Sequence, residues 1–178
     1  MTGQEAVQYL NSQAERLPKE VATLCYEITN AKEFAEGWAS TSKHHAYEGS
    51  LPIHVAEVME VALAIAETKA TKEVNLTVLI PAVIFHDCMK VRDNPGGVKS
   101  DYYSQIYHIA GSYACWQNLA QGMFPPEYVD AVGHCILAHH GRRDWKAVVE
   151  PQTIEAWILH FADMVSAGYG KNREAPDA

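Results

Sequence analysis

The four cysteines, Cys25, Cys88, Cys115 and Cys135, are far apart and form no C-x-x-C pair. A disulfide framework is thereby excluded, and isolated thiols in a reducing compartment fit better. There is no 18-residue uncharged apolar run, so no membrane span is expected. The opening MTGQEAVQYLNSQAERL carries an early Glu and no continuous apolar core, so it does not read as a secretory signal. No alternating apolar and polar run is long enough to build a sheet. Basic residues are also scarce: 14 Lys+Arg stand against 22 Asp+Glu, for a net charge of −8. Gripping long nucleic acid rests on neutralising phosphates with Lys and Arg, so tracking a long strand is not expected. Together these absences point to a cytoplasmic protein.

What is present is a chain of 178 residues with 48% hydrophobic composition, enough for one domain that buries roughly 70% of its unfolded surface. Its periodicity is helical throughout, and an all-α bundle is expected. Helices are expected over Gly3 to Leu17, Lys19 to Thr29, and Ala31 to about Ser40. Further helices follow over Pro52 to Thr68, Leu76 to Lys90, Asp101 to Gly122, Pro126 through His139, and Pro151 to Ala167. Pro81 either kinks its helix or marks a buried strand. Residues 1–42 form N-terminal helices packed on a core at 43–167, and 168–178 is a loose tail. Trp157 falls on a stripe with Ile154, Ile158 and Phe161 and reads as core, whereas Trp145 is the better candidate for stacking a base.

Histidine is abundant, with nine residues against four Phe and four Trp. On the wheel of Pro52 to Thr68, Glu57, Glu60 and Glu67 share one side and His54, Val58, Val61 and Ile65 share another, so His54 points at the core. His86 and Asp87 follow VLIPAVIF, and Asp163 sits in ILHFADMVSA. A buried carboxylate without a partner costs several kcal/mol, and few basic side chains fall near these stretches. With His108, His134, His139 and His140, these residues make a metal the economical explanation, because neutral imidazole and carboxylate suit Mn, Fe, Co, Ni and Zn.

The ordered set His54, His86-Asp87, His108, His134 and Asp163 resembles the H…HD…H…H…D pattern of the HD-domain superfamily of all-α, metal-dependent phosphohydrolases. The segments KHHAYEGSLPIH, IFHDCMK, HIAG, HCILAHHG and ILHFADMVSA look most like the HD domain of bacterial 3′→5′ exoribonucleases. The resemblance implies two divalent ions, with His54, His86, Asp87 and Asp163 on one and His108 and His134 on the other. Asp87 bridges them. On the helix wheel His139 lies with Val132, Cys135 and Ile136, while His134 lies with Ala131 and Ala138, and His139 stands as the substitute ligand.

The implied activity is hydrolysis of a nucleotide phosphoester by water activated on the metal. Asp87 and Lys90 are the expected catalytic residues. Lys90 would donate to a non-bridging oxygen, and His45, His139, His140, Arg142 and Arg143 would bind substrate beside the metals. His44 and Tyr47 belong to the same HHAY segment, and His160 alone keeps a purely structural reading. The exoribonucleases carry an oligonucleotide-binding domain ahead of the HD domain, where this chain has only its first helices. A nucleotide, cyclic nucleotide or short oligonucleotide is therefore the expected substrate, ahead of longer RNA. The same ligands also occur in di-iron oxygenases related to myo-inositol oxygenase, which is the rival enzyme class. Oligomeric state is left open by the sequence.

Overall fold

The computed structural model describes residues 1–42, 45–68 and 73–169. Within them the protein is helical, with no strand beyond a single bridge between Gln121 and Phe124. The elements are α1 (Gly3–Ala14), α2 (Lys19–Thr29), α3 (Lys32–Ala35), α4 (Ser50–Ala66), α5 (Leu76–Phe85), α6 (Lys90–Asp93), α7 (Asp101–Gln105), α8 (His108–Ala120), α9 (Pro126–Ala138) and α10 (Ile154–Tyr169). No described helix is long and apolar enough to cross a membrane.

Local chemistry accounts for the helix ends. Thr2 and Glu5 form a reciprocal capping box, with Glu5 N donating to Thr2 Oγ1 at 3.2 Å and Thr2 N donating to Glu5 Oε2 at 2.7 Å. Asn75 caps α5 by accepting from Thr77 N at 3.0 Å. Pro81 does not end α5. Its missing N–H leaves the Thr77 carbonyl without the usual helical donor, and the Tyr128 hydroxyl of α9 donates to that oxygen at 2.8 Å. A residue from a neighbouring helix thus makes the interior proline tolerable.

The bundle is centred on α4 and α5. Helix α4 is covered by α1 and α10, and α5 by α9 and α2. Both central helices are buried nearly all round: Val78 through Phe85 are all buried, and so are Leu51 through Ala56 of α4. Glu57, expected on a solvent side, is therefore half-buried. Trp157 and Phe161 depart from expectation in the other direction. They are 42% and 52% exposed, because α10 turns Ala156, Ile158, Leu159 and Ala162 inward instead.

Several boundaries also differ from the sequence pattern. The third helix is a single turn at Lys32–Ala35, and the expected Leu76 to Lys90 helix ends at Phe85. The expected Asp101 to Gly122 helix is split into α7 and α8 at Tyr107, whose φ is 69°. Helix α10 runs through Tyr169, past the point where a loose tail was expected. His44 and residues 170–178 lie outside the described residues.

Candidate metal centre

Every histidine at the centre of the bundle has its Nδ1 engaged by a partner, which turns Nε2 inward. His86 and His139 sit at the C-terminal ends of α5 and α9, where the last carbonyls lack helical partners. Each ring curls back on its own helix: His86 Nδ1 reaches Val83 O and His139 Nδ1 reaches Ile136 O, both at 2.7 Å. His108 is the first residue of α8. Asp93 accepts from its backbone N at 3.2 Å and holds its Nδ1 at 2.7 Å. His140 Nδ1 donates to Trp145 O at 2.7 Å. His54, on α4, meets Ser166 Oγ of α10 at 2.9 Å, and Ser166 donates onward to Glu57 Oε2 at 2.9 Å. That direction makes Ser166 the acceptor for His54, so Nδ1 carries a proton and Nε2 is the nitrogen that faces the carboxylates.

The inward nitrogens converge on Asp87. Its Oδ2 lies 3.2 Å from His54 Nε2, 3.3 Å from His86 Nε2 and 2.5 Å from Lys90 Nζ. Its Oδ1 lies 3.2 Å from His108 Nε2 and 3.7 Å from His139 Nε2. Asp163 Oδ1 adds a contact of 3.2 Å to His54 Nε2. Two groups of donors result, His54, His86, Asp87 and Asp163 in one and His108, His139 and His140 in the other. Within each group the donor atoms lie no more than 4.8 Å apart. Asp87 presents one oxygen to each group.

The electrostatics match ligand chemistry. Burial pushes Asp87 up, but Lys90, His86 and His108 outweigh it and hold the carboxyl well below its ordinary range. Burial likewise raises Asp163, and the hydrogen bond from His54 brings it below its usual value. Burial, with the neighbouring His140 and His86, drives His139 well below an ordinary histidine. The same effect, with His108, pushes His140 down to about 4. Ionised carboxylates therefore stand beside the neutral imidazoles of His139 and His140, whereas for His54 burial pulls the pKa down but hydrogen bonds with Asp163 and Asp87 outweigh it and hold it above its ordinary value. The Nε2 atoms of His86, His108 and His139 are buried with no hydrogen-bond partner among the described residues. Such an atom costs ~1–3 kcal/mol, and three at one point ask for a shared electrophile. The donor set, with each Nδ1 oriented by a second group, fits divalent transition ions.

Of the residues expected as metal ligands or catalytic groups, six meet here: His54, His86, Asp87, Lys90, His108 and Asp163. His134 does not join them. It is half-buried on the other side of α9, where its Nε2 accepts from Gln152 N at 3.0 Å. Five residues separate it from His139, which is about 140° of helical rotation, so one helix cannot aim both at α5. The face with Val132, Cys135 and Ile136 is the one that packs inward, and it brings His139. His139 and His140, expected at the substrate rim, are inside the donor cluster.

His45 is buried behind the centre, with Nε2 3.0 Å from Glu57 Oε2. Arg142 pairs bidentately with Asp144 at 2.9 and 3.0 Å and lies over the Trp145 ring. Arg143 is exposed in the adjacent turn. Neither arginine lines the cavity of about 230 Å³ that opens beside the cluster, whose walls include Ser40, Lys90, Lys99, Tyr107, His140 and Asp163. His160 holds the backbone of His139 through Nδ1 to His139 O at 2.9 Å, and a Cβ at Gly141 (φ 78°) would come within 2.3 Å of its ring. Asp93, Ser166 and Glu57 are the orienting partners, and none of them is among the residues expected to do chemistry. Glu57, three residues after His54 on the same helix, was the most accessible of them to a wheel argument.

The HD domain family matches residues 53–168, a stretch that includes every member of both donor groups. The chain is similar to the 3′-5′ exoribonuclease YhaM of Bacillus subtilis (strain 168), with 32% identity over 139 residues, 76% of this chain and 44% of the relative. It is 31% identical to the proteins of the same name from Bacillus velezensis, over 141 residues, and Bacillus licheniformis, over 140 residues, again covering 44% of each relative. The chain thus spans less than half the length of these curated relatives. No solved structure matches it. A match over most of the chain, with a metal-fitting cluster inside it and an all-helical fold around it, establishes that the chain belongs to the HD-domain phosphohydrolase superfamily.

Proposed function

We propose that the protein is a metal-dependent phosphohydrolase or phosphodiesterase that cleaves a nucleotide phosphoester in the cavity beside Asp87. The observation that carries this reading is the placement of Asp87, one oxygen toward each donor group, with Lys90 between that carboxylate and the cavity. The ligands would be His54, His86, Asp87 and Asp163 for one ion and His108, His139 and His140 for a second, with Asp87 shared. Mn, Fe, Co, Ni or Zn suits this set. Divalent ions held there lower the pKa of water toward neutrality and offset charge on phosphoryl oxygens.

The chain's own groups supply the rest. Burial pulls the Lys90 ammonium down, but Asp87 and Asp163 outweigh it and hold its pKa above the ordinary value, so Lys90 stays cationic. From the cavity wall it can exchange its contact with Asp87 for a non-bridging phosphoryl oxygen. Asp93, Ser166 and the Ile136, Val83 and Trp145 carbonyls keep the imidazoles in one tautomer throughout. Residues 43–167 form the catalytic core, with the preceding helices packed against it, in a cytoplasmic enzyme.

A second reading, release of nucleotides from the 3′ end of RNA, is supported by the name shared by the relatives above. One experiment separates the readings: purified protein loaded in turn with Mn, Co, Ni and Fe is assayed against nucleoside mono- and triphosphates, cyclic mono- and dinucleotides, and short and long RNA. Hydrolysis of the small esters or short RNA is expected. Processive shortening of long RNA in preference to them would favour the exoribonuclease reading, and turnover only with Fe and O₂ would move the protein to the oxygenase class.

A further inference from the structure

Three non-glycine residues among those described hold a positive φ: His45 at 55°, Tyr107 at 69° and Lys146 at 74°. That conformation is disfavoured for residues with a Cβ and persists where the surroundings enforce it, often at a working site. His45 belongs to the group behind His54. Tyr107 and Lys146 meet each other, with Lys146 Nζ 4.6 Å from the centroid of the Tyr107 ring.

Lys146 also donates to Tyr103 Oη at 3.2 Å. Lys99, from the loop ahead of α7, places its Nζ 4.0 Å from the centroid of the same Tyr103 ring. Hydrogen bonds from Lys99 and Lys146 hold the Tyr103 phenol below its ordinary pKa. Two ammonium groups from separate loops thus converge on one phenol, in a protein whose net charge is −8. Like charges brought near one another repel, and an anion bound beside them relieves that cost.

The position of this pair is informative. Tyr103 stacks edge-on against Tyr107 at 5.3 Å, and Tyr107 lies 4.2 Å from the His108 ring. Lys99, Tyr103 and Tyr107 line the cavity that holds Lys90, His108 and Asp163 at its inner end. Lys146 is therefore one aromatic residue away from His108 and Lys99 two, and Lys99 is the member of the pair that lines the cavity.

We propose that Lys99, Lys146 and Tyr103 form a second anion subsite, which takes a phosphate neighbouring the one that reacts. The substrate class of this centre is then an ester with two adjacent phosphates, and a lone phosphomonoester is a poor substrate. Tyr107, between the two sites, offers its ring to the intervening sugar or base. The inference rests on the phosphohydrolase reading for which phosphate reacts, whereas the subsite itself stands on the lysine geometry.

The test combines binding and turnover. Binding to the protein as purified is measured by calorimetry at several salt concentrations, with a phosphorothioate-linked, 5′-phosphorylated dithymidylate, thymidine triphosphate and thymidine 5′-monophosphate. Turnover with Mn is measured on 5′-phosphorylated dithymidylate and bis(p-nitrophenyl) phosphate. Ligands with two or more phosphates should bind at least about tenfold more tightly than the monophosphate. The preference should fall about tenfold in Lys99→Ala and again in Lys146→Ala. The salt slope should drop by about 0.7 for each lysine removed, and Lys146→Arg should keep most of the preference. Lys146→Gly frees the backbone while removing the charge, so a loss equal to that of Lys146→Ala assigns the effect to the ammonium.

A dinucleotide preference over the triphosphate identifies a nucleotide chain as the source of the second phosphate, and the reverse identifies a polyphosphate. Unchanged preference in both alanine variants, with wild-type turnover of bis(p-nitrophenyl) phosphate, overturns the subsite and leaves the enzyme reading standing. Lysine-dependent binding with no hydrolysis under any metal supports the subsite and overturns the enzyme reading. Absence of both overturns both.

Discussion

His54, His86, Asp87 and Asp163 come from α4, the end of α5 and α10, three helices whose inner faces are packed into the core. His108, His139 and His140 come instead from the first residue of α8 and the two residues that follow α9. In the first group, hydrophobic packing of the helices that carry it adds to the hydrogen bonds that His54 makes with Ser166 and His86 with Val83 O. The second depends on individual hydrogen bonds that its imidazoles donate to Asp93, Ile136 O and Trp145 O. Loss of one orienting bond should therefore disturb the second group more than the first, while loss of the carboxylate they share should disturb both.

The largest effect is expected at Asp87, where the two groups join. Asp87→Ala should lower turnover by about a thousandfold or more and remove bound metal from both groups. Metal content by mass spectrometry and circular dichroism would separate this outcome from unfolding. Retention of full phosphodiesterase activity would sink the metal-centre reading. Lys90→Ala should lower turnover while leaving metal content near wild type.

Next in size is the contrast between His139 and His134. His139→Ala should remove about half of the bound metal, leaving the first group occupied. His134→Ala should leave metal content intact and activity within about threefold of wild type, with a stability loss of ~0.5–1.5 kcal/mol from its bond to Gln152 N. Metal loss in His134→Ala with retention in His139→Ala would reverse the assignment.

This pair also marks how much of the centre the sequence disclosed. The first group was legible because each member sits within or at the end of a long apolar run, where an unpaired polar group is costly. For the second, the wheel gives mixed advice between His139 and His134 and the family spacing favours His134, and only the register of α9 against α5 shows that His139 is the one that faces Asp87. Asp93 was unreadable for a different reason. It lies in RDNPGG, which reads as a polar loop, and nothing local shows that the loop folds back to seat His108. The continuation of α5 through Pro81 depends likewise on a partner distant in sequence, Tyr128. The helical class itself was readable, since it follows from periodicity along each segment.

Asp93→Asn should weaken affinity at the second group by about 10- to 100-fold, the range typical for residues that orient a ligand, and leave the first group close to wild type. Titration against a competing chelator would resolve the two affinities.

Ser166→Ala is the smaller counterpart in the first group. Ser166 is a neutral acceptor for His54, whereas Asp93 is a carboxylate, and hydrogen bonds to ionised acceptors are roughly twice as strong. His54 is also fixed by its place in α4, between Val55 and Ile53, both buried against neighbouring helices. Removing the hydroxyl should therefore cost about 1 kcal/mol, or about fivefold in metal affinity at the first group. The same chelator titration would report it. If Ser166→Ala weakened the first group more than Asp93→Asn weakened the second, packing would not be what holds His54. The relay from His54 through Ser166 to Glu57 would then be the main constraint on that half of the centre.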